Sequence, residues 1–407
     1  MKITKSQVQL LHSPGDEQLV DVQPQAGGLR AFVTLKMMTD EGIEGIGLTF
    51  APGLGLSPLA PSLKTMVEAL CELTEGEDPM EIEAVMQGLR DKTNGSGPGG
   101  MLTLALSAVD MALWDIKGKA FNMPVYKLLG GPVREKVVCY PHNTGSTMEE
   151  LIDSCKSSVE DGWKFVRWGQ PETGGKFGFE GKESVLEPIE SVDIAVEQIA
   201  KVREAVGPNI QICFDVHTRL DTAHVIQLCN KIEKYNPFFI EDPLRSESSY
   251  SYENLSKHVN VPLAAGEQWS SKWMFREVIE KELISYARID LCNVGGFTEA
   301  LKIAHWAETH YIDVAPHNPL GPVSAAACVA FCMSLTNVGV QEMPQQPGTV
   351  DKTLFPVQIE WSNGYANCLD KPGLGIEMDE EVAEQRFVEP NGWPPLLKRN
   401  DGAFTNW

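Results

Sequence analysis

The chain has 407 residues, is 43% hydrophobic and 22% charged, and carries 56 acidic against 34 basic side chains, for a formal charge of −22. Such a composition excludes a largely disordered chain, and an acidic sequence without a Lys/Arg-rich stripe excludes a phosphate-backbone footprint, so no nucleic-acid partner is expected. No run approaches the ~20 apolar residues that cross a bilayer and the N-terminus turns polar too soon for a signal peptide, so no membrane partner and a cytoplasmic location are expected.

In chain order, 31-AFVTLKMMTDEGIEGIGLTF-50 reads as two strands joined by a turn at Asp40, Glu41 and Gly42. The glycine-rich 94-NGSGPGG-100 lacks the Lys-Ser/Thr ending of a phosphate-binding loop and reads as a turn. Helical apolar spacing with few charges over 101–122 predicts a largely buried helix. These elements make an α+β module, residues 1–125.

From Lys136 the texture changes. Short apolar runs alternate with helical stretches: VVCY (137–140), KFVRW (164–168), IQICFD (210–215), PFFIED (237–242), VPLAAGE (261–267), YARID (286–290), YIDVAPH (311–317) and VGVQE (338–342). Eight runs with helix between them predict a parallel sheet closed into an α/β (β/α)8 barrel over 126–360, followed by a segment, 361–407, that returns to the first module as part of a cap. Polar residues end the later runs at Asp215, Glu241, Glu267, Asp290, His317 and Glu342, in steps of 26, 26, 23, 27 and 25 residues. One strand, one helix and two loops account for each step. Because C-terminal strand ends of such a barrel face one crevice, these side chains are expected to meet there.

Asp215, Glu241 and Glu267 put three carboxylates on neighbouring strand ends, where mutual repulsion forbids full ionisation without a cation. A few oxygen ligands suit one Mg2+ ion. Period-two alternation sets His217 on the same face as Asp215, beside that metal, where it can move a proton. His317 has Asp290 as a neighbour on the preceding strand, and a carboxylate on one imidazole nitrogen raises the basicity of the other, which makes the pair a general-base dyad. Nine cysteines, scattered singly among apolar neighbours, read as buried reduced thiols.

FDVHTR, FFIEDP, AAGEQ, RIDLCNVGG, APHNPLGP and VQE, in this order, resemble the mandelate racemase subgroup of the enolase superfamily, and among its branches the acid-sugar dehydratases of the D-galactonate dehydratase type. The segment 107–131 is similar to that family's junction between cap and barrel, and 393–407 to the tail of the galactonate dehydratases. The resemblance implies Mg2+ on Asp215, Glu241 and Glu267, the His317/Asp290 dyad as base, and Glu342 beside the substrate carboxylate. Proton abstraction by a Lys or His base with Mg2+ stabilising an ene-diolate is the mechanism general to this superfamily. Racemases of the subgroup carry Lys-x-Lys at the end of the second strand, whereas this chain has Arg167 and Gly169 there. Arginine stays protonated and takes no proton, so transfer between two faces of one carbon is disfavoured.

The expected reaction is therefore Mg2+-dependent dehydration of an aldonate, such as D-galactonate or a relative, to a 2-keto-3-deoxy acid. In it His317 abstracts the C2 proton, Mg2+ and Glu342 stabilise the ene-diolate, and His217 protonates the departing 3-hydroxyl. Arg167, His142, Gln23 and Trp269 are candidate substrate contacts, and the cap loops 22–30 and 50–57 are implied by the resemblance to close over the mouth. A homo-oligomer is expected. An acid-sugar epimerase using the same histidines, or a catalytically idle sensor, are the alternatives.

Overall fold

Three antiparallel strands, β1 (Ile3–Ser13), β2 (Arg30–Thr39) and β3 (Glu44–Phe50), open the chain in the order β1-β2-β3. The turn between β2 and β3 contains Gly42 at φ +75°, a conformation that glycine adopts without a Cβ penalty. The computed structural model describes residues 1–13, 30–50, 59–97, 99–173, 185–349, 352–385 and 397–405. Helices α1 (Ala60–Glu72), α2 (Ile82–Thr93) and α3 (Met101–Ala120) complete the module. As its apolar spacing predicts, α3 is hidden on nearly every side, with fifteen of its twenty residues buried. Its closeness to β3 requires glycine: a Cβ on Gly47 would lie 1.9 Å from the Ala108 carbonyl oxygen, and one on Gly45 2.3 Å from that of Ala112.

After the short α4 (Val125–Leu128) the chain winds as strand and helix in turn: β4 (Val137–Tyr140), α5 (Met148–Glu160), β5 (Phe165–Gly169), α6 (Pro188–Val206), β6 (Gln211–Asp215), α7 (Thr222–Ile232), β7 (Phe239–Glu241), α8 (Tyr250–Ser256), β8 (Leu263–Ala265), α9 (Lys272–Glu280), β9 (Tyr286–Ala287), α10 (Gly296–Glu308), β10 (Asp313–Val314), α11 (Pro322–Ser334) and β11 (Gln341–Glu342). Each of the eight predicted runs holds one strand. Strands β5 to β10 pair in parallel in sequence order. A parallel bridge from Val314 to Val338, the β11–β4 pairing and an Asn143 N–H bond to the Arg167 carbonyl (2.7 Å) close the ring into a (β/α)8 barrel.

The hairpin β12 (Glu360–Ser362) and β13 (Tyr365–Asn367) adds to β4 at Val137 and Val138. Beyond it, the Leu374 N–H bonds Asp115 of α3 at 2.7 Å, and Glu380, at the start of α12 (Glu380–Gln385), pairs with Lys36 of β2. Among the described residues no helix is long and apolar enough to cross a membrane. All nine thiols are free, eight of them buried.

Candidate active site at the barrel mouth

Side chains on a strand alternate faces, so each barrel strand sends every second residue inward. Tyr140, Phe165, Cys213, Phe239, Ala264, Ala315 and Val340, with Tyr286 packed against them, form an apolar layer inside the ring. One inward step further along each strand, two residues on, stand His142, Arg167, Asp215, Glu241, Arg288, His317 and Glu342. Only β8 breaks the rule, with Gly266, where a Cβ would lie 2.5 Å from the Phe275 ring. Gly266 takes φ +134° and the next residue, Glu267, supplies the acid instead. The mouth is thus a polar layer seated on an apolar one.

His317 accepts the geometry of a dyad: its Nδ1 lies 2.7 Å from Asp290 Oδ2, while its Nε2 faces Glu267 Oε2 at 3.6 Å. Burial alone would lower its affinity for a proton, but Glu267, Glu342 and Asp290 outweigh burial and raise its pKa to about 9. Asp290 is itself held by the Cys292 N–H at 2.7 Å. The loop that follows it is tied to the cap through Thr49 Oγ1 to the Cys292 carbonyl (3.0 Å) and the Gly295 N–H to Ser107 Oγ (2.9 Å).

On the other side of the mouth Asp215 and Glu241 are register partners on β6 and β7, both buried. Two guanidinium groups lie among the acids: Arg167 reaches Asp215 Oδ2 at 2.5 Å and Glu241 Oε2 at 3.6 Å, and Arg288 reaches Glu241 Oε1 and Glu342 Oε2, each at 2.6 Å. Among the described residues no three acids, histidines or cysteines are drawn close enough together to hold a metal ion. Asp215, Glu241 and Glu267 thus stand on neighbouring strand ends, with the two arginines taking up part of their charge. The donor set still suits a hard cation: every candidate ligand is a carboxylate oxygen, and Glu241 Oε2 is buried without a hydrogen-bond partner. Burial together with Asp242, Asp215 and Glu241 drives the Glu267 carboxyl well above its ordinary range, the signature of too much negative charge in one place.

Beyond Asp215 the backbone leaves the extended conformation for a left-handed turn, so strand alternation does not carry as far as His217. Its half-buried side chain is placed by a turn in which His217 and Thr218 take φ +51° and +57°, with the His217 N–H on Asp215 Oδ1 at 2.7 Å. Left-handed backbone at residues other than glycine costs of order 1–3 kcal/mol each and gathers at functional sites. Asp242, at φ +36°, joins them at the neighbouring strand end.

His142 is buried with Nε2 on Glu342 Oε1 at 2.6 Å. Trp269, a candidate substrate contact by sequence, sits elsewhere. The Trp269 N–H bonds back to the Gly266 carbonyl, so the chain turns after Glu267 and the indole packs edge-on against Tyr252 and Phe275 with its Nε1 on the Ser246 carbonyl. Gln23, and the cap loops 22–30 and 50–57 apart from their ends Arg30 and Phe50, lie outside the described residues. Sequence reasoning passed over Arg288, although it precedes Asp290 by two positions and alternation puts it on the inner face.

Residues 20–130 match the family profile described as the mandelate racemase/muconate lactonizing enzyme N-terminal domain, and residues 150–382 match the enolase C-terminal domain-like profile. A D-mannonate dehydratase of Caulobacter vibrioides is 34% identical over 93% of this chain and 96% of its own, and a D-galactonate dehydratase of Pectobacterium atrosepticum is 33% identical over 92% and 96%. The crystal structure of an enolase from Pantoea ananatis with bound D-gluconate and Mg superposes with a TM-score of 0.87 at 27% identity, covering 100% of this chain and 99% of that one.

Proposed function

This chain belongs to the mandelate racemase/muconate lactonizing enzyme family of the enolase superfamily and is a hydro-lyase, and on that premise we propose that it dehydrates an aldonate, D-galactonate or a relative, to a 2-keto-3-deoxy acid. The observation that carries the reading is the dyad: an imidazole fixed by Asp290 on one nitrogen, with its other nitrogen turned to the carboxylate-lined mouth.

Asp215, Glu241 and Glu267 are the residues that would hold Mg2+. Bound there, the ion supplies a Lewis-acidic positive centre for the substrate carboxylate. His317 Nε2 takes the C2 proton while Asp290 keeps Nδ1 protonated and the ring in place. Burial works against the charge of Glu342, but Arg288, His317 and His142 outweigh it and keep the carboxyl well below its usual range before substrate binds; negative charge brought beside it favours its protonated form, which donates a hydrogen bond to the substrate carboxylate as charge builds there. His217 gives its proton to the 3-hydroxyl, which leaves as water, and the enol tautomerises to the keto acid. Arg167, committed to two acids and always charged, offers no second base, which favours elimination over racemisation.

The test is a panel of acid sugars assayed for keto-acid formation with Mg2+ and with chelator. Turnover of at least one aldonate, abolished by chelator and by Glu241→Gln in a folded variant that no longer binds Mg2+, is the expected result. Exchange of the C2 proton with solvent on every active sugar, with no keto acid formed, would replace dehydration by epimerisation.

A further inference from the structure

Among the described residues Arg288 is the largest fully buried side chain. Its guanidinium joins β7, β11 and the segment that follows β10. Nη2 bonds Glu241 Oε1 on β7 and Glu342 Oε2 on β11, both at 2.6 Å. Nη1 donates to the Ala315 and Pro316 carbonyls at 2.9 and 3.3 Å, immediately ahead of His317, and the group lies 5.8 Å from the centre of the Tyr140 ring on β4. Glu267 Oε2 is 3.9 Å away, and Nε has no hydrogen-bond partner.

Stability does not account for such a residue. Desolvating an ion costs several kcal/mol, and well-packed apolar side chains of like volume in place of a buried ion-pair cluster are often neutral or better. What an apolar replacement could not do is orient two carboxylates and a strand end at once. By holding Glu241 through Oε1, Arg288 leaves Oε2, the buried oxygen with no hydrogen-bond partner, as the one turned toward Arg167, which in turn pairs with Asp215. We propose that Arg288 is the positioning residue of this site, fixing Glu241 so that Oε2 is the oxygen offered to the metal and locking Glu342 and the approach to His317 into the same frame. The inference rests on the metal site assigned above to Asp215, Glu241 and Glu267.

Lysine keeps the charge but has no planar fork with which to bridge both acids and two carbonyls. Partners that orient metal ligands are typically worth 10- to 100-fold in metal affinity, and Arg288→Lys is expected to weaken Mg2+ binding by about that factor. The measurement is calorimetric titration of Mg2+ into chelator-stripped, substrate-free protein, with kcat and KM taken at saturating Mg2+. Arg288→Lys should recover part of its kcat when Mg2+ is saturating, whereas Glu342→Gln, which removes a partner of Arg288 and no ligand, should bind Mg2+ near the wild-type affinity. Should Arg288→Lys fail to fold, the double variant Arg288→Gln/Glu342→Gln, which removes the cation together with one of its anions, is read in the same titration and is expected to show the same weakening. Wild-type Mg2+ affinity in the folded arginine variant overturns the positioning role and leaves the metal site standing. Absence of Mg2+ binding in the wild-type protein overturns both.

Discussion

His142 and His317 flank the same carboxylate. Glu342 ends the eighth barrel strand, His142 follows the first, and His317 follows the seventh, so the two imidazoles are matched in layer, in residue type and in one neighbour. Their proton affinities nevertheless move in opposite directions. Burial, then the Arg167 charge, lower His142 to about 4, and its hydrogen bond to Glu342 fails to reverse them. Burial acts on His317 too, but Glu267, Glu342 and Asp290 together lift it to about 9. The difference lies in the remaining neighbours: a guanidinium on one side of the mouth, two further carboxylates on the other. A neutral His142 donates from Nε2 to Glu342 and helps hold it charged, while the carboxylates around His317 strengthen its hold on a proton. Residue type alone assigns no role here; the sign of the nearby charge does.

Substituting each histidine in turn is the most direct attack on that contrast. His317→Asn removes the proposed base and is expected to lower kcat by about 10²- to 10⁴-fold, the usual contribution of general acid–base catalysis. His142→Asn removes a hydrogen bond to Glu342 and is expected to produce a markedly smaller loss, visible in steady-state kinetics on whichever acid sugar the enzyme turns over. Equal losses would mean that the two imidazoles act as one unit and that the contrast has no catalytic meaning.

Much of this arrangement is legible in the sequence, and the misses come from inward residues two positions before the strand ends and from turns just past them. The period of about 25 residues from Asp215 to Glu342 locates the strand ends, since a closed parallel barrel leaves little freedom in how strand, helix and loops share the chain. Reading only the last polar residue of each run, however, passes over what alternation adds two positions earlier. In YARID it finds Asp290 and misses Arg288; in KFVRW it notes Arg167 as a departure from a pattern but not as the partner of Asp215 and Glu241. The repulsion expected among Asp215, Glu241 and Glu267 is relieved in part for that reason, because compensating cations, Arg167 and Arg288, stand inside the barrel on other strands. Alternation was in turn overextended at His217, where the strand has already ended, and Trp269 is turned away by the bend at Gly266. No residue pattern announces either turn.

A gentler probe reads the same contrast through stability. In chelator-treated buffer, His317 has a folded pKa of about 9, above its ordinary 6.5, so its contribution to stability is complete below pH 6.5 and is lost as pH rises through about 9. His142 has a folded pKa of about 4, below its ordinary 6.5, so the unfolded chain binds the extra proton and stability is lost as pH falls from 6.5 through about 4. Compared with the wild-type curve of Tm against pH, His317→Asn should flatten the alkaline limb and His142→Asn the acid limb. Variants that flatten the opposite limbs, or neither, would contradict the charge environments described.

The central claim, that His317 is the base and His217 the acid, is tested most directly by proton exchange at C2 of the substrate in D2O, followed by NMR alongside keto-acid formation. His317→Asn is predicted to lose both exchange and dehydration, because no ene-diolate forms without the base. His217→Asn is predicted to lose dehydration yet keep slow deuterium incorporation at C2, because the proton still leaves and returns while the hydroxyl cannot depart. Exchange retained by His317→Asn and lost by His217→Asn would contradict the account and reverse the two roles.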